Sequence, residues 1–276
     1  MQHDIVVSEE EVERELARLD PATPWSHHYK FGSHETISAA RDEKFYKKSI
    51  GLERLGELAI DIAKYHTRAG GIAGQRVIDI ASAEGGHSLL FARGGAKEVL
   101  GVEGRSLYME RAKFAARAYG LSNVTFTQGD VRKIDAAKAG RFDIVFCSGI
   151  LHHLGKDDFL PMLKLLYELT GDMMFLYTHV SHPEKIEPYR LKPTEPINGR
   201  YAGYLFQEHS EAATASEREA QVRASLDNTY SFWATPGSLV DALKDVGYSI
   251  VSNVVHPHIF GRHEDRAFRP IIVARR

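Results

Sequence analysis

Three acids fall at or beside the ends of short apolar runs, and their surroundings suit nucleotide recognition. The segment VIDIASAEGGHS sets Asp79 in an apolar run, then gives the small residues Ala81, Ala83, Gly85 and Gly86. Small residues let a ligand approach the backbone, and a helix starting near Gly85 would offer free N–H groups. Glu103 follows the next apolar run in VEGR. A carboxylate roughly 20 residues beyond such a turn can accept two hydrogen bonds from ribose hydroxyls. Asp130 and Val131 follow a third run in QGDVR. Histidines form the second chemical group. His152 and His153 stand in ILHHL after FDIVFCS, and His179 follows MFLYT and makes H-x-x-H with His182. Imidazole is the commonest general base, so these three, His152, His153 and His179, are the candidates for proton transfer.

These groups need a frame that brings strand ends together. VIDI (77–80), VLGV (99–102), NVTF (123–126), FDIVFC (142–147) and MFLYT (174–178) read as buried strands, with helices between them. The clearest helix carries Tyr108, Ala112, Ala115 and Tyr119 on one face and ends at Gly120. Another carries Phe159, Met162, Leu163, Leu166 and Leu169, with Pro161 in its first turn. Strand–helix alternation of this kind implies a parallel sheet covered on both faces. SIVSNVV (249–255) and IIVA (271–274) read as a closing antiparallel hairpin. The expected fold is therefore α/β and doubly wound, with a mostly parallel seven-stranded sheet.

Two segments stand outside the alternation. Residues 1–70 read as a helical cap: Ser8 and Glu11 have capping-box spacing, Pro21 and Pro24 end that helix, and Gly70 and Gly71 stop a second one. Residues 181–231, with Pro183, Pro188, Pro193 and Pro196 followed by a charged, helical stretch at 211–226, read as an insertion after the fifth strand. Domain organisation is then a cap, 1–70, and a main domain, 71–276, carrying the insertion. The insertion and the connector PWSHHYKFGSHET are expected to fold over the ligand crevice, with most of their aromatic side chains packing the cap against the core.

Composition narrows the function classes. The 276 residues hold 35 Lys plus Arg against 37 Asp plus Glu, a formal charge of −2, which argues against a general nucleic-acid binder. No run reaches the ~20 apolar residues of a membrane span, and the acidic start is no signal peptide, so a cytoplasmic protein is expected. The one cysteine, Cys147, excludes a disulfide framework and any zinc site built from several cysteines. It lies inside an apolar run with no activating cation in sequence and reads as a small buried hydrophobe. Fourteen histidines raise the question of a metal, but no dense acidic cluster sits beside them, and no metal is expected.

The motif around Asp79 resembles the first motif of the class I S-adenosylmethionine-dependent methyltransferases, acid-x-Gly-x-Gly-x-Gly, with alanines at two of the three glycine positions. The same spacing also permits a degenerate dinucleotide fingerprint at 81, 83 and 86. The acids at 103 and 130 and the post-strand segment RFDIVFCSGILHHL favour the methyltransferase resemblance, which covers residues 75–180 closely and the terminal hairpin more loosely. It implies S-adenosylmethionine as cofactor, with Asp79, Ala81, Ala83, Gly85, Glu103, Asp130, Val131 and Cys147 around it. Asp130 would accept from the adenine amino group, and the Val131 N–H would face a ring nitrogen. The arrangement is similar to O-methyltransferases of glycans and natural products, which implies a small-molecule or glycosidic hydroxyl acceptor. No nucleic-acid or membrane partner is expected, and a homo-oligomer is open. The alternatives are a tRNA wobble-uridine (carboxy)methyltransferase, a noncatalytic S-adenosylmethionine-binding module, and a nicotinamide oxidoreductase. The Asp130 element and the terminal hairpin are unexpected in the last of these.

Overall fold

The computed structural model describes residues 4–19, 24–222, 224–254 and 268–276. Pro21 and Val255, the expected ends of a helix and a strand, lie outside them. The chain divides into two compact units after Val131.

In the first unit, α1 (Glu9–Leu19) begins where the Ser8 hydroxyl accepts from the Glu11 N–H at 3.2 Å. A small hairpin, β1 (Lys30–Phe31) and β2 (His34–Glu35), precedes α2 (Glu43–His66). Helix α2 ends before Gly70 and Gly71, because the Thr67 hydroxyl turns back to donate to the Ala63 carbonyl at 2.6 Å and accepts from the Gly71 N–H at 3.0 Å. Strands β3 (Arg76–Ile80), β4 (Glu98–Glu103) and β5 (Val124–Gln128) then alternate with α3 (Gly86–Arg93) and α4 (Ser106–Ala118). The three strands are parallel, in the order β3-β4-β5, with Asp79 beside Gly101 and Glu103 beside Gln128. Their carboxyl ends therefore share one edge. Gly101 leaves room for the Phe126 ring on β5, which a Cβ there would strike.

In the second unit, α5 (Ala136–Ala139) leads to β6 (Phe142–Ser148), and α6 (Phe159–Leu169) leads directly into β7 (Thr170–Tyr177). The apolar face of α6, with Phe159, Met162, Leu163 and Leu166 buried, is the one its spacing predicts. Strand β7 is parallel to β6, so Ser148 and Tyr177 end side by side. After β7 come α7 (Pro183–Ile186), β8 (Lys192–Pro193), β9 (Gly203–Gln207), α8 (Ala215–Ala220) and β10 (Tyr230–Ala234). The three strands of this insertion form their own antiparallel sheet, β10-β9-β8. Among the described residues of the charged stretch 211–226, only the six of α8 are helical. This helix buries no side chain and is held by a capping box between Thr214 and Glu217. Helix α9 (Pro236–Asp245) and the antiparallel strands β11 (Ile250–Val254) and β12 (Ile271–Arg275) close the unit, with β12 beside β7. The fold class is the expected one: α/β, with a mostly parallel seven-stranded sheet ending in antiparallel C-terminal strands.

Candidate functional site

The loop between β3 and α3 carries backbone strain. Ala81 and Ala83 both take positive φ, 59° and 48°, and Gly85 caps α3 at φ 79°. The left-handed region costs a residue bearing a Cβ about 1–2 kcal/mol. The two alanines at expected glycine positions thus keep a conformation natural to glycine. A Cβ on Gly85 would come within 2.7 Å of the Phe126 ring, so this position needs glycine for space as well as for φ. The loop opens onto the first turn of α3, whose N–H groups lack intrahelical partners.

Two acids brace this loop from the sheet. Glu103, at the carboxyl end of β4, accepts from the Ala83 N–H at 2.9 Å and from the Arg105 N–H at 2.8 Å, one on each oxygen. Burial pushes its carboxyl up, against the pull of these N–H groups. Each oxygen keeps a lone pair, so the donor–acceptor set fits a ribose diol. Asp79 is 1% exposed and accepts from the Ser88 hydroxyl at 2.6 Å. Burial raises its carboxyl to about 6. Asp79 thus ties β3 to the first turn of α3. Asp130 and Val131 follow the end of β5; Asp130 is half-buried and Val131 is buried. The first unit therefore gathers Asp79, Ala81, Ala83, Gly85, Glu103 and Asp130 at one sheet edge.

Cys147 and the three histidines belong to the second unit. Cys147 is fully buried within β6, beside Leu176. His152 and His153 form a short turn, Leu151–His153, beyond the end of β6, and His179 follows β7 at the same edge. The rings of His152 and His179 stack in parallel with centroids 4.0 Å apart. His152 Nδ1 accepts from the His179 N–H at 3.3 Å, and burial first, then the neighbouring His179 and His153, push His152 well below the usual histidine range. The His152 ring packs against the His179, His153 and Trp233 rings.

His153 differs. Its ring is 21% exposed, and Nδ1 lies 2.9 Å from Oε1 of Glu208, whose side chain is almost fully buried. Glu208 also accepts from the Ser231 hydroxyl at 2.7 Å and the Ser225 N–H at 3.1 Å. A carboxylate only accepts, so it holds the proton of a neutral His153 on Nδ1 and leaves Nε2 with its lone pair free to take a proton. Strand β10 and its approach pin the turn itself. The Trp233 indole N–H donates to the His152 carbonyl at 2.8 Å, the Phe232 N–H to the Leu154 carbonyl at 2.9 Å, and the Asn228 amide to the His153 carbonyl at 2.9 Å. Among the described residues, no group of His, Cys, Asp and Glu could hold a metal ion.

Sequence reasoning missed Glu208, which is 55 residues from His153 and inside the insertion, and Glu84, an acid in the strained loop. Trp25 in the connector is 1% exposed, with the Arg111 guanidinium 4.6 Å from the centre of its ring, and it meets Tyr29 and Phe31 edge-on, in line with the packing role expected for most of the connector's aromatic side chains.

Residues 77–171 match the family model described as a methyltransferase domain. Over 87 residues, 32% of this chain, the sequence is 30% identical to the ubiquinone biosynthesis O-methyltransferase of Acinetobacter baumannii (strain AYE); the protein of the same name from Acinetobacter baylyi is 31% identical over 86 residues. The match spans about a third of those relatives' length, 36% in each case. Among solved structures, the N-terminal domain of EvdMO1 with SAH bound superposes with a TM-score of 0.71 at 21% identity, over 98% of this chain and 97% of that one. The same domain in the presence of SAH and D-fucose gives 0.69. Magnesium protoporphyrin IX methyltransferase from Synechocystis PCC 6803 gives 0.56 at 15% identity, over 96% and 94%. At these identities the likeness shows the fold, which is Rossmann-like. The matched segment, residues 77–171, is thus similar in sequence to methyltransferase domains. No described helix is long and apolar enough to cross a membrane.

Proposed function

We propose that the chain transfers a methyl group from S-adenosylmethionine to a hydroxyl of a small-molecule or glycosidic acceptor. The observation that carries this reading is the pairing of His153 with Glu208, which leaves a basic imidazole nitrogen at a strand edge. S-adenosylmethionine, when bound, supplies a methyl group on a positively charged sulfur. Glu103 would hold the ribose hydroxyls, Asp130 and the Val131 N–H the adenine, and the loop 81–86 the remainder through backbone groups. His153 Nε2 would take the proton of the acceptor hydroxyl as it attacks, and Glu208 would stabilise the imidazolium that forms. Transfer of a methyl group from sulfonium is otherwise a matter of positioning, so one base suffices.

Support for a hydroxyl acceptor comes also from the relatives. The A. baumannii protein is named an O-methyltransferase, and the EvdMO1 domain has been crystallised in the presence of D-fucose. Calorimetric titration with S-adenosylmethionine and its demethylated product tests the cofactor half of the proposal. Saturable one-to-one binding of both is expected, and absence of heat with either would sink it.

A further inference from the structure

We propose that the buried Glu84–Arg111 pair positions the cofactor loop by clamping residues 24–29 onto it, which makes Glu84 a positioning residue for cofactor binding. The inference rests on the reading above that S-adenosylmethionine binds at the loop 81–86.

Both side chains are fully buried, and Arg111 Nη1 donates to Glu84 Oε1 at 2.7 Å. Arg111 Nε and Nη2 both donate to the Leu19 carbonyl, at 2.9 and 2.8 Å. The other carboxylate oxygen, Glu84 Oε2, accepts from the Ser26 and His27 N–H groups at 2.8 and 2.9 Å and lies 3.4 Å from His27 Nδ1. The Tyr29 hydroxyl donates to the Glu84 carbonyl at 2.7 Å. A Cβ at Gly86 would overlap the His27 ring, so this ring sits directly on the start of α3.

Stability alone does not account for this arrangement. A buried ion pair is often replaceable by well-packed apolar side chains without loss of stability, whereas an apolar contact fixes no direction. What these charges supply is direction: the Glu84 carboxylate fixes the chain after Trp25 at Ser26 and His27, and the Arg111 it pairs with fixes the chain before it at Leu19. The loop it grips is the strained one. Glu103 holds Ala83 from the sheet side, and Glu84 is held from the side of residues 24–29. Strained backbone persists where its surroundings over-determine it, and it gathers at functional sites. Residues 24–29 are then a fixed wall of the cofactor loop, not a lid over the acceptor.

The test compares the parent with Glu84→Gln, with Tyr29→Phe and with the double variant Glu84→Met/Arg111→Met. Two readouts are taken well below the unfolding temperature: S-adenosylmethionine affinity by calorimetry, and amide exchange across residues 82–89. Glu84→Gln should weaken binding by about 10- to 100-fold, the effect of a small misplacement at a preorganised site. It should also speed exchange in the loop while β4 and β5 stay protected. Tyr29→Phe keeps the ion pair and should lose affinity several-fold. The double variant should fold and still bind weakly. A pair that merely stabilises the fold would lower the unfolding temperature and leave affinity at parent level in all three, which would overturn the proposal. Should Glu84→Gln not fold, Tyr29→Phe and the double variant decide by the same criterion. Should the parent not bind S-adenosylmethionine, the functional reading fails, and unchanged loop exchange in the variants would overturn the clamp separately.

Discussion

Substituting Glu208 by glutamine changes one oxygen into an NH2 group, and the surroundings cannot accept that change. Oε1 receives the His153 Nδ1 proton and the Ser231 hydroxyl, and Oε2 receives the Ser225 N–H. If the amide oxygen stays toward His153, the NH2 group faces the Ser225 N–H, donor against donor. If the amide flips, the NH2 faces His153 Nδ1 and drives the proton to Nε2, and the ring can no longer take a proton there. An unsatisfied buried donor costs about 1–3 kcal/mol, so either outcome destabilises the fold or reverses the tautomer. Loss of the correct tautomer should lower turnover by about 10²–10⁴, as for other general bases. S-adenosylmethionine affinity should hold, since the residues assigned to the cofactor loop and ribose belong to the first unit. Nitrogen-15 chemical shifts of the His153 ring report the tautomer without any acceptor, and methyl transfer reports the rate. Turnover within about threefold of the parent, with the His153 proton moved to Nε2, would refute the base assignment.

Three further outcomes are expected. Glu103→Ala should leave a folded protein that binds S-adenosylmethionine about 1.5–3 kcal/mol more weakly, from loss of charged hydrogen bonds, as read by calorimetry. Ala83→Gly should raise stability by up to about 1 kcal/mol in denaturant titrations, because relief of the left-handed strain at φ 48° outweighs the added chain entropy. Burial lowers the His87 imidazole from its usual 6.5 to about 3, while its Nε2 bonds the Leu52 carbonyl at 2.9 Å. The unfolded chain therefore takes up this proton first. His87 contributes stability that is full above pH 6.5 and lost as pH falls towards 3, at about 1.4 kcal/mol per pH unit. His152 adds in the same direction, and Asp79, whose carboxyl is raised, acts oppositely between 3.8 and about 6. His87→Gln should flatten the parent's acid slope by about one proton, and an unchanged slope would contradict the assignment.

The centre of the sheet was legible because β3, β4, β6 and β7 are largely buried and read as apolar runs. VIDI, VLGV and FDIVFC fall inside β3, β4 and β6. NVTF and MFLYT overlap β5 and β7 to within a few residues. Asp79, Glu103 and Asp130 could be picked out because each stands at a fixed place relative to such a run. Glu208 carries no such mark: its importance comes from a pairing across 55 residues, and local pattern does not encode that. The insertion misled for a related reason. Its helix buries nothing, so charge composition suggested a longer one than the six residues that form. Most aromatic side chains of the connector are expected to pack against the core, and Trp25, Tyr29 and Phe31 are buried together around Arg111 and α4. Only the fold reveals which way an aromatic side chain is turned.

Methyl transfer itself is the most direct measurement. The protein is incubated with deuterium-labelled methyl S-adenosylmethionine and a set of hydroxylated aromatics, sugars and bulk tRNA, and products are read by mass spectrometry. The account predicts one labelled methyl group on an oxygen of a small or glycosidic acceptor, strongly reduced in His153→Gln with cofactor binding intact. Label found only in tRNA, or on no acceptor despite tight cofactor binding, would contradict it.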